Sequence, residues 1–475
     1  MNLDVQPIVK NSSTNRTVAA NSQRAMLLFS CLLVMMFARD PGPNGPRLLA
    51  LVVATVMTGV ALFRPLHVRD LYSLRRAEQA LVAVLVLAGL IFSATVLARP
   101  IADQASPLWF AVVSAYTILG FAGAFPVIRR LPDLKWAFWL FLATHVALTV
   151  VFLRATPAAI DVQVFLRDGA NALLHGHNPY SMTFPNIYPP PLAELFYGPG
   201  VVVDGRVTYG FPYLPFGLLS SIPGYLLGDV RYSQLIAMLV TALVLRRLAS
   251  DRTGRALAIL AIAAPTALPT LTGAWTEPAL VAILAGLVLV LRRRRNPFIA
   301  VLLGLLLVSK QYVVIAIPVI WLIRRWLTRR AILVALGVAA ALTLPFFLVN
   351  PAAFWKAIVE FQLIQPFRAD SLSLLVSSVN TFGWPPPWTY GLLPLVGGGL
   401  TAIALALRAP RTPAAFAAGV GLTLLVTILL SKQAFMNYYF IVSGALLIAT
   451  VAWPSQQAVT PPEQGHVVQP LHRED

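Results

Sequence analysis

Long, unbroken apolar runs recur from Ala25 to Trp453, separated by short basic stretches and by two longer loops. Away from water, such a run can satisfy its own backbone N–H and C=O groups in only one way within the segment, the α-helix. A transmembrane barrel would instead alternate polar and apolar residues in segments of about ten. Only 11% of the 475 residues are charged and 58% are hydrophobic, whereas a soluble domain carries about 25% charged residues. The mean hydropathy is +0.75. The runs fall at 25–38, 47–63, 78–97, 107–128, 136–153, 231–249, 256–272, 276–291, 297–309, 311–323, 331–349, 388–407, 413–430 and 434–453. Several are short against the ~20 residues of a full span, so the expectation is an all-α, polytopic membrane domain over 25–453 with about 11–14 transmembrane helices.

The flanking segments are polar. Residues 1–24 are expected to form a cytoplasmic tail, and the Pro- and Gln-containing segment 454–475 a disordered cytoplasmic tail. The first apolar run has the length of a signal-peptide core. Arg39-Asp40-Pro41 follows it without a small-residue cleavage site, so a retained first helix is expected. The single cysteine, Cys31, lies inside that run and offers neither an intramolecular disulfide nor a cysteine metal site.

The net charge is +18, which in a soluble domain would suggest nucleic acid. No RRM-, KH- or helix-turn-helix-like motif accompanies it, and no nucleic-acid partner is expected. The basic residues gather in five clusters between apolar runs: Arg64, Arg69, Arg75 and Arg76; Arg129, Arg130 and Lys135; Arg246, Arg247, Arg252 and Arg255; Arg292–Arg295; and Arg324, Arg325, Arg329 and Arg330. All five share one side, the cytoplasmic one, provided that the segment 211–228, broken by Pro212, Pro215 and Pro223, does not cross. This predicts a multi-pass plasma-membrane protein with both termini inside. The outer face then collects the loops 154–211 and 350–387, the turn at Glu277, and two copies of Ser-Lys-Gln, at 309–311 and 431–433.

Charge is sparse on that outer face, and ionisable residues at membrane depth are functional candidates by default. Asp161 lies about eight residues past the fifth run, between Ile160 and Val162. Partly desolvated there, it suits general-base work; a solvated loop acid or a helix N-cap is the plain alternative. Asp168 follows seven residues later, on about the same helical face, as a second acid, and Arg167 can pair with either. Glu277 is another possible acid, or a structural one at a helix start. Lys310, Arg368 and Lys432 are the cations available to hold phosphate; snorkelling lysines and a self-paired Arg368–Asp370 loop are the structural alternatives. Gln311, Gln433, Asn437 and Tyr438 add hydrogen-bonding groups beside the lysines. Asn178, Tyr180 and Tyr188 either line a sugar pocket or serve as turn and interface residues. His175 and His177 lack a metal-binding pattern around them, so no metal or other cofactor is expected. Walker A, G-x-G-x-x-G, G-x-S-x-G and C-x-x-C motifs are absent from the sequence, which gives nucleotide hydrolysis and redox chemistry no support.

The run IDVQVFLRDGANALLHGHNPY, Ile160 to Tyr180, opens the first long outer loop with Asp-Val-x-Val-Phe and continues Gly-Ala-x-Ala-Leu-Leu-x-Gly-x-Asn-Pro-Tyr. In this it resembles the GT-C membrane glycosyltransferases, and most of all glycosyltransferase family 87, the DUF2029 group, which includes polyprenyl-phosphate-mannose-dependent mannosyltransferases. The likeness is looser at Tyr213-Leu214-Pro215, at Lys310 and at Arg368. The resemblance implies a GT-C fold with Asp161 as general base. It implies transfer of a hexose, with inversion, from a polyprenyl-phosphate sugar to a lipid or polysaccharide acceptor at the outer face. The leaving phosphate would be held by Lys310, Arg368 or Lys432. The chain departs from the pattern of many such enzymes in two ways: its second acid is seven residues from the first, and no soluble external domain is evident.

Two other readings compete. A transporter or flippase of a lipid-linked substrate would place ionisable groups near the bilayer midplane and often carry internal repeats, whereas here only the three-residue Ser-Lys-Gln echo recurs. A membrane scaffold would dock a partner through 350–387, where Trp384, Pro385–Pro387 and Trp388 offer an aromatic surface.

Overall fold

The computed structural model describes all residues except 1–7, 39–41, 65–70, 105, 125–134, 158–159, 294–295, 384–390 and 454–475; the side chains of 8–19, 71–75, 135 and 296 are likewise not described. The expected tail at 454–475 and the Trp384–Trp388 surface therefore lie outside the described residues. The remainder is almost entirely helical. Seven helices among the described residues are long and apolar enough to cross a membrane: Ala20–Phe37, Gly45–Phe63, Arg76–Leu97, Pro107–Ala124, Trp136–Ala155, Arg252–Thr272 and Arg329–Val349. The segments Pro215–Leu226 and Arg231–Leu248 are bent by 104° at their junction, so the Pro-broken stretch turns away from the helix that follows it.

Fewer helices reach full length than the apolar runs suggested, and burial accounts for part of the difference. Pro413–Leu429 and Met436–Ala452 are 17 residues each and buried on almost every side. A helix shielded by protein need not match the bilayer, unlike one facing lipid. Arg329–Val349 is the contrasting case, with 21 residues and little of it buried.

Residues Gln311–Trp326 cross the bundle differently, as a 16-residue 3-10 helix. Its buried positions Val313, Ala316, Val319 and Leu322 recur every third residue, the period at which 3-10 side chains eclipse. At about 2.0 Å per residue the segment is about 32 Å long, where an α-helix of the same length reaches about 24 Å. It lies against Leu393–Arg408 and Pro413–Leu429. Glycines permit the approach: a Cβ on Gly398 would stand 2.8 Å from Ile315 Cγ2, and one on Gly419 2.8 Å from Val319 Cγ1.

The basic breaks meet at one end of the bundle. Arg24, nearly buried, pairs with Asp251 through both carboxylate oxygens and lies 3.2 Å from Glu78. It thereby ties the first long helix to Leu71–Leu97 and to the N-cap of Arg252–Leu257. Arg246 donates to the Gly123 carbonyl and covers the Phe138 ring, and Arg292 donates to the Leu248 carbonyl. Among the described residues, Arg24, Arg246 and Arg292 thus tie together the helix ends at this side of the bundle. Asn21–Arg24 are buried at this end, within one helix that runs unbroken from Ile8 to Phe37.

At the other end the two long loops fold together. The amphipathic helix Asp161–Leu174 buries Val162, Phe165, Leu166 and Ala170. A three-stranded antiparallel sheet pairs Arg206–Val207 with both Phe184–Pro185 and Val202–Val203. Phe354, Ile358 and Phe361 from the second loop join Tyr180, Phe184, Tyr197 and Phe211 in a second hydrophobic core, separate from that of the bundle. The described residues of 160–211 and 350–383 therefore form a folded layer rather than connecting loops.

Arg24→Ala removes a buried guanidinium from between two largely buried carboxylates. The expected cost is on the order of 3 kcal/mol, to be read as a lowered thermal midpoint in detergent while Arg411→Ala, an exposed control, leaves the midpoint in place.

Candidate functional site

A cavity of about 330 Å³ lies where the two cores meet. Val162, Phe165, Tyr197 and Phe361 line it from the outer layer; Leu372 and Ala434 line it from the bundle. Ala38 also reaches it, fourteen residues after Arg24 on the first helix and its continuation. That spacing puts the cavity about 21 Å from the basic end, by helical rise.

Asp161 opens the amphipathic helix, after Ile160 in extended conformation. Its carboxylate lines the cavity. Oδ1 accepts from the Val162 N–H at 2.8 Å and from the Tyr188 hydroxyl at 3.3 Å. Burial pushes the Asp161 carboxyl above its ordinary value, and nearby donors, first the Tyr197 hydroxyl and then the Val162 N–H and Tyr188 hydroxyl, pull it only part of the way back. The Tyr197 hydroxyl acts on the carboxylate without a hydrogen bond of regular geometry. Burial and the Asp161 charge in turn push the hydroxyls of Tyr188 and Tyr197 up, so both stay neutral.

The second acids lie elsewhere. Seven residues do bring Asp168 round to nearly the face of Asp161, but about 10 Å further along the helix. There it pairs with Arg167 at 2.8 Å and does not line the cavity. Glu277 is fully buried behind the cavity wall. Its Oε1 lies 3.3 Å from Lys310 Nζ and accepts from Asn437 Nδ2 at 3.0 Å and from the Tyr312 hydroxyl at 3.3 Å.

The three candidate cations separate clearly. Lys310 lines the cavity, yet its ammonium is shared between Glu277 and the face of Tyr213, 4.0 Å from the ring centre. Lys432 is absent from the lining; its ammonium donates to the Leu363 and Gln365 carbonyls. Arg368 lines the cavity with its guanidinium between Phe196, at 4.3 Å, and Phe435, at 4.7 Å. Its Nε and Nη2 donate to Asp370 at 2.8 and 2.7 Å, while Nη1 makes no hydrogen bond among the described residues. Arg368 is therefore held on both faces and one edge, with donor capacity remaining. The Arg368 N–H donates to the Lys432 carbonyl and the Leu372 N–H to Ala434, which carries Gln433 into the lining.

Of the polar groups named from sequence, Tyr188, Gln433, Asn437 and Tyr438 line the cavity. Gln311 does not; it donates to the Pro212 carbonyl, which also accepts from Gln362. Asn178 and Tyr180 are used in packing. Asn178 caps the Tyr180 N–H and donates to Phe346, and the buried Tyr180 donates to the Tyr213 carbonyl among Phe211, Phe346 and Phe354. His175 is exposed, with Nδ1 against the Asn171 carbonyl, and His177 is also exposed. No group of three or more metal-binding side chains occurs among the described residues.

Sequence reasoning missed Tyr197, Tyr213, Trp275, Gln362 and Gln365, all of which line the cavity. One signal was available: Gln362, Gln365 and Arg368 recur every third residue. Trp275 is presented by a turn whose Ala274 takes a left-handed conformation, φ 52°, an uncommon position for a residue with a Cβ. No family model, curated protein or solved structure matches the chain.

Lys310→Met strips Glu277 of its cation inside the protein. A loss of about 3–5 kcal/mol is expected, seen as a lower thermal midpoint, with Lys310→Met combined with Glu277→Gln recovering most of it.

Proposed function

We propose that this chain is a polytopic membrane glycosyltransferase of the GT-C kind, moving a hexose from a polyprenyl-phosphate sugar to a glycolipid or glycan acceptor. The observation that carries the reading is one cavity holding a carboxylate of raised basicity, Asp161, together with a cation that keeps a free donor, Arg368. The cavity sits at the end of the bundle opposite Arg24, Arg246 and Arg292, the end that the positive-inside rule assigns to the outer face.

In this mechanism the acceptor hydroxyl attacks the anomeric carbon in line. The new C–O bond forms as the bond from that carbon to the phosphate oxygen breaks, the electron pair leaves with the polyprenyl phosphate, and the acceptor proton passes to Asp161. One displacement inverts the anomeric configuration. Because the leaving group is already a phosphate, positioning and charge stabilisation carry most of the rate. Arg368 supplies the stabilising charge; Gln365, Gln433 and Asn437 meet sugar hydroxyls; Trp275 and Tyr213 give an aromatic wall. Lys310, with Glu277, shapes that wall rather than holding the phosphate.

The raised carboxyl has a cost with a definite sign. An acid whose folded pKa exceeds its unfolded value, ~3.9, is stabilising in its protonated form, and that contribution is lost as the pH rises through the folded value. In proteoliposomes supplied with a polyprenyl-phosphate hexose, Asp161→Asn is expected to lower turnover by about 10²–10⁴-fold. The same variant should melt higher than the native protein at pH 7, with the gap closing toward pH 4. Native turnover by Asp161→Asn, or movement of the lipid-linked substrate across the bilayer with no glycoside formed, would overturn the reading.

A further inference from the structure

Asp161 is gripped by one side chain at two points. Its backbone N–H, an orphan donor of the first helical turn, donates to the Tyr188 hydroxyl oxygen at 3.2 Å. The same hydroxyl donates its proton to Asp161 Oδ1 at 3.3 Å. With the Val162 N–H also on Oδ1 at 2.8 Å, that oxygen holds two donors. Oδ2 accepts no regular hydrogen bond among the described residues and is not sealed from the cavity.

Tyr188 is itself fixed from outside the bundle. Its N–H donates to Asn186 Oδ1 at 3.1 Å, and Asn186 Nδ2 donates to the Tyr188 carbonyl at 2.7 Å. The Asn186 N–H donates to the Gly205 carbonyl, in the hairpin between Val202–Val203 and Arg206–Val207. The ring stands edge-on to Phe196, 4.6 Å between centroids at 89°. A chain of contacts thus runs from the small sheet through Asn186 and Tyr188 to the carboxylate.

We propose that Tyr188 is a positioning residue that divides the work of the Asp161 oxygens: Oδ1 is held, and Oδ2 receives the proton from the acceptor hydroxyl. The proposal rests on the glycosyltransferase reading for the identity of the proton donor, but not for the division itself. A hydroxyl that accepts from the backbone and donates to Oδ1 fixes the side-chain rotamer and leaves Oδ2 as the open lone pair. The other titratable groups about the carboxylate are Tyr197 and Tyr213, with Arg368 acting on Tyr188. Tyr197, from the helix Pro190–Tyr197, adds a donor influence without regular geometry and cannot replace the two-point hold.

The test is Tyr188→Phe, which keeps the ring and removes both contacts, with Asn186→Ala loosening the same ring one step away. The protonated carboxyl C=O stretch of Asp161, assigned by its loss in Asp161→Asn, is followed by infrared difference spectroscopy against pH. Loss of one hydrogen bond to a charged group should move its titration upward by about one pH unit in Tyr188→Phe, and in the same direction in Asn186→Ala. The acid limb of turnover should move by the same amount, with kcat on the alkaline side down about tenfold and KM for the lipid-linked donor unchanged. A stretch that titrates where it does in the native protein, or a raised KM with native kcat, overturns the proposal. The infrared arm does not need sugar transfer, so absence of transfer by the native protein would count against the glycosyltransferase reading alone.

Discussion

Where helices are apolar enough to lie in lipid, the hydrocarbon offers no water to an unpaired N–H, C=O or charge. Groups that must stay polar are driven to the ends of the bundle or into tight pairs within it. This one constraint organises the chain. At one end arginines meet carboxylates and free helix carbonyls, as Arg24, Arg246 and Arg292 do. At the other, two long segments close over the helix ends and bury their own apolar side chains. The cavity is what remains between a bundle core and a layer core that meet through polar side chains.

The ionic groups around the cavity differ in how firmly they are committed. Glu277 is sealed and takes Lys310 with it, so that pair behaves as a neutral structural unit with tyrosine and asparagine attached. Lys432 holds carbonyls of the helix end that presents Gln365. Asp161 and Arg368 both line the cavity and combine fixed geometry with a polar atom left over, Oδ2 on the first and Nη1 on the second, whereas the spare Oε2 of Glu277 is buried. In a site of low polarity such unspent atoms interact strongly with a ligand, since little reorganisation is needed when charge develops.

Much of this was legible in the chain, for a simple reason. Asp161, Tyr188, Lys310, Arg368, Gln433 and Asn437 each stand where an apolar run breaks on the same side, and alternation of sides follows from counting runs. What failed to read was distance along an element and the use of a side chain. Asp168 has the right angular position, but two turns of rise carry it off. Tyr180 and Asn178 look like binding groups in sequence, and packing against Phe211 and Phe354 claims the tyrosine. Tyr213 lies in an irregular segment and Tyr197 ends a helix of only eight residues, so no long period points at either. The outer layer was read as loops because its strands are two residues each and its helix is one of the few amphipathic ones. The stretch Gln311–Trp326 shows the same limit, because a stripe every third residue over so short a length passes for an ordinary helical face.

That stretch has a mechanical consequence. Wound as a 3-10 helix it is about 8 Å longer than it would be as an α-helix, and Lys310 is the residue immediately before it. Its pitch is therefore a ruler: the number of residues per turn sets how far from the basic end Lys310 stands, and with it the Tyr213 ring that its ammonium faces in the cavity lining. The threefold stripe of Val313, Ala316, Val319 and Leu322, seated against Gly419 through Val319 and Leu322, holds that measure, because rewinding to 3.6 residues per turn would rotate these side chains out of register.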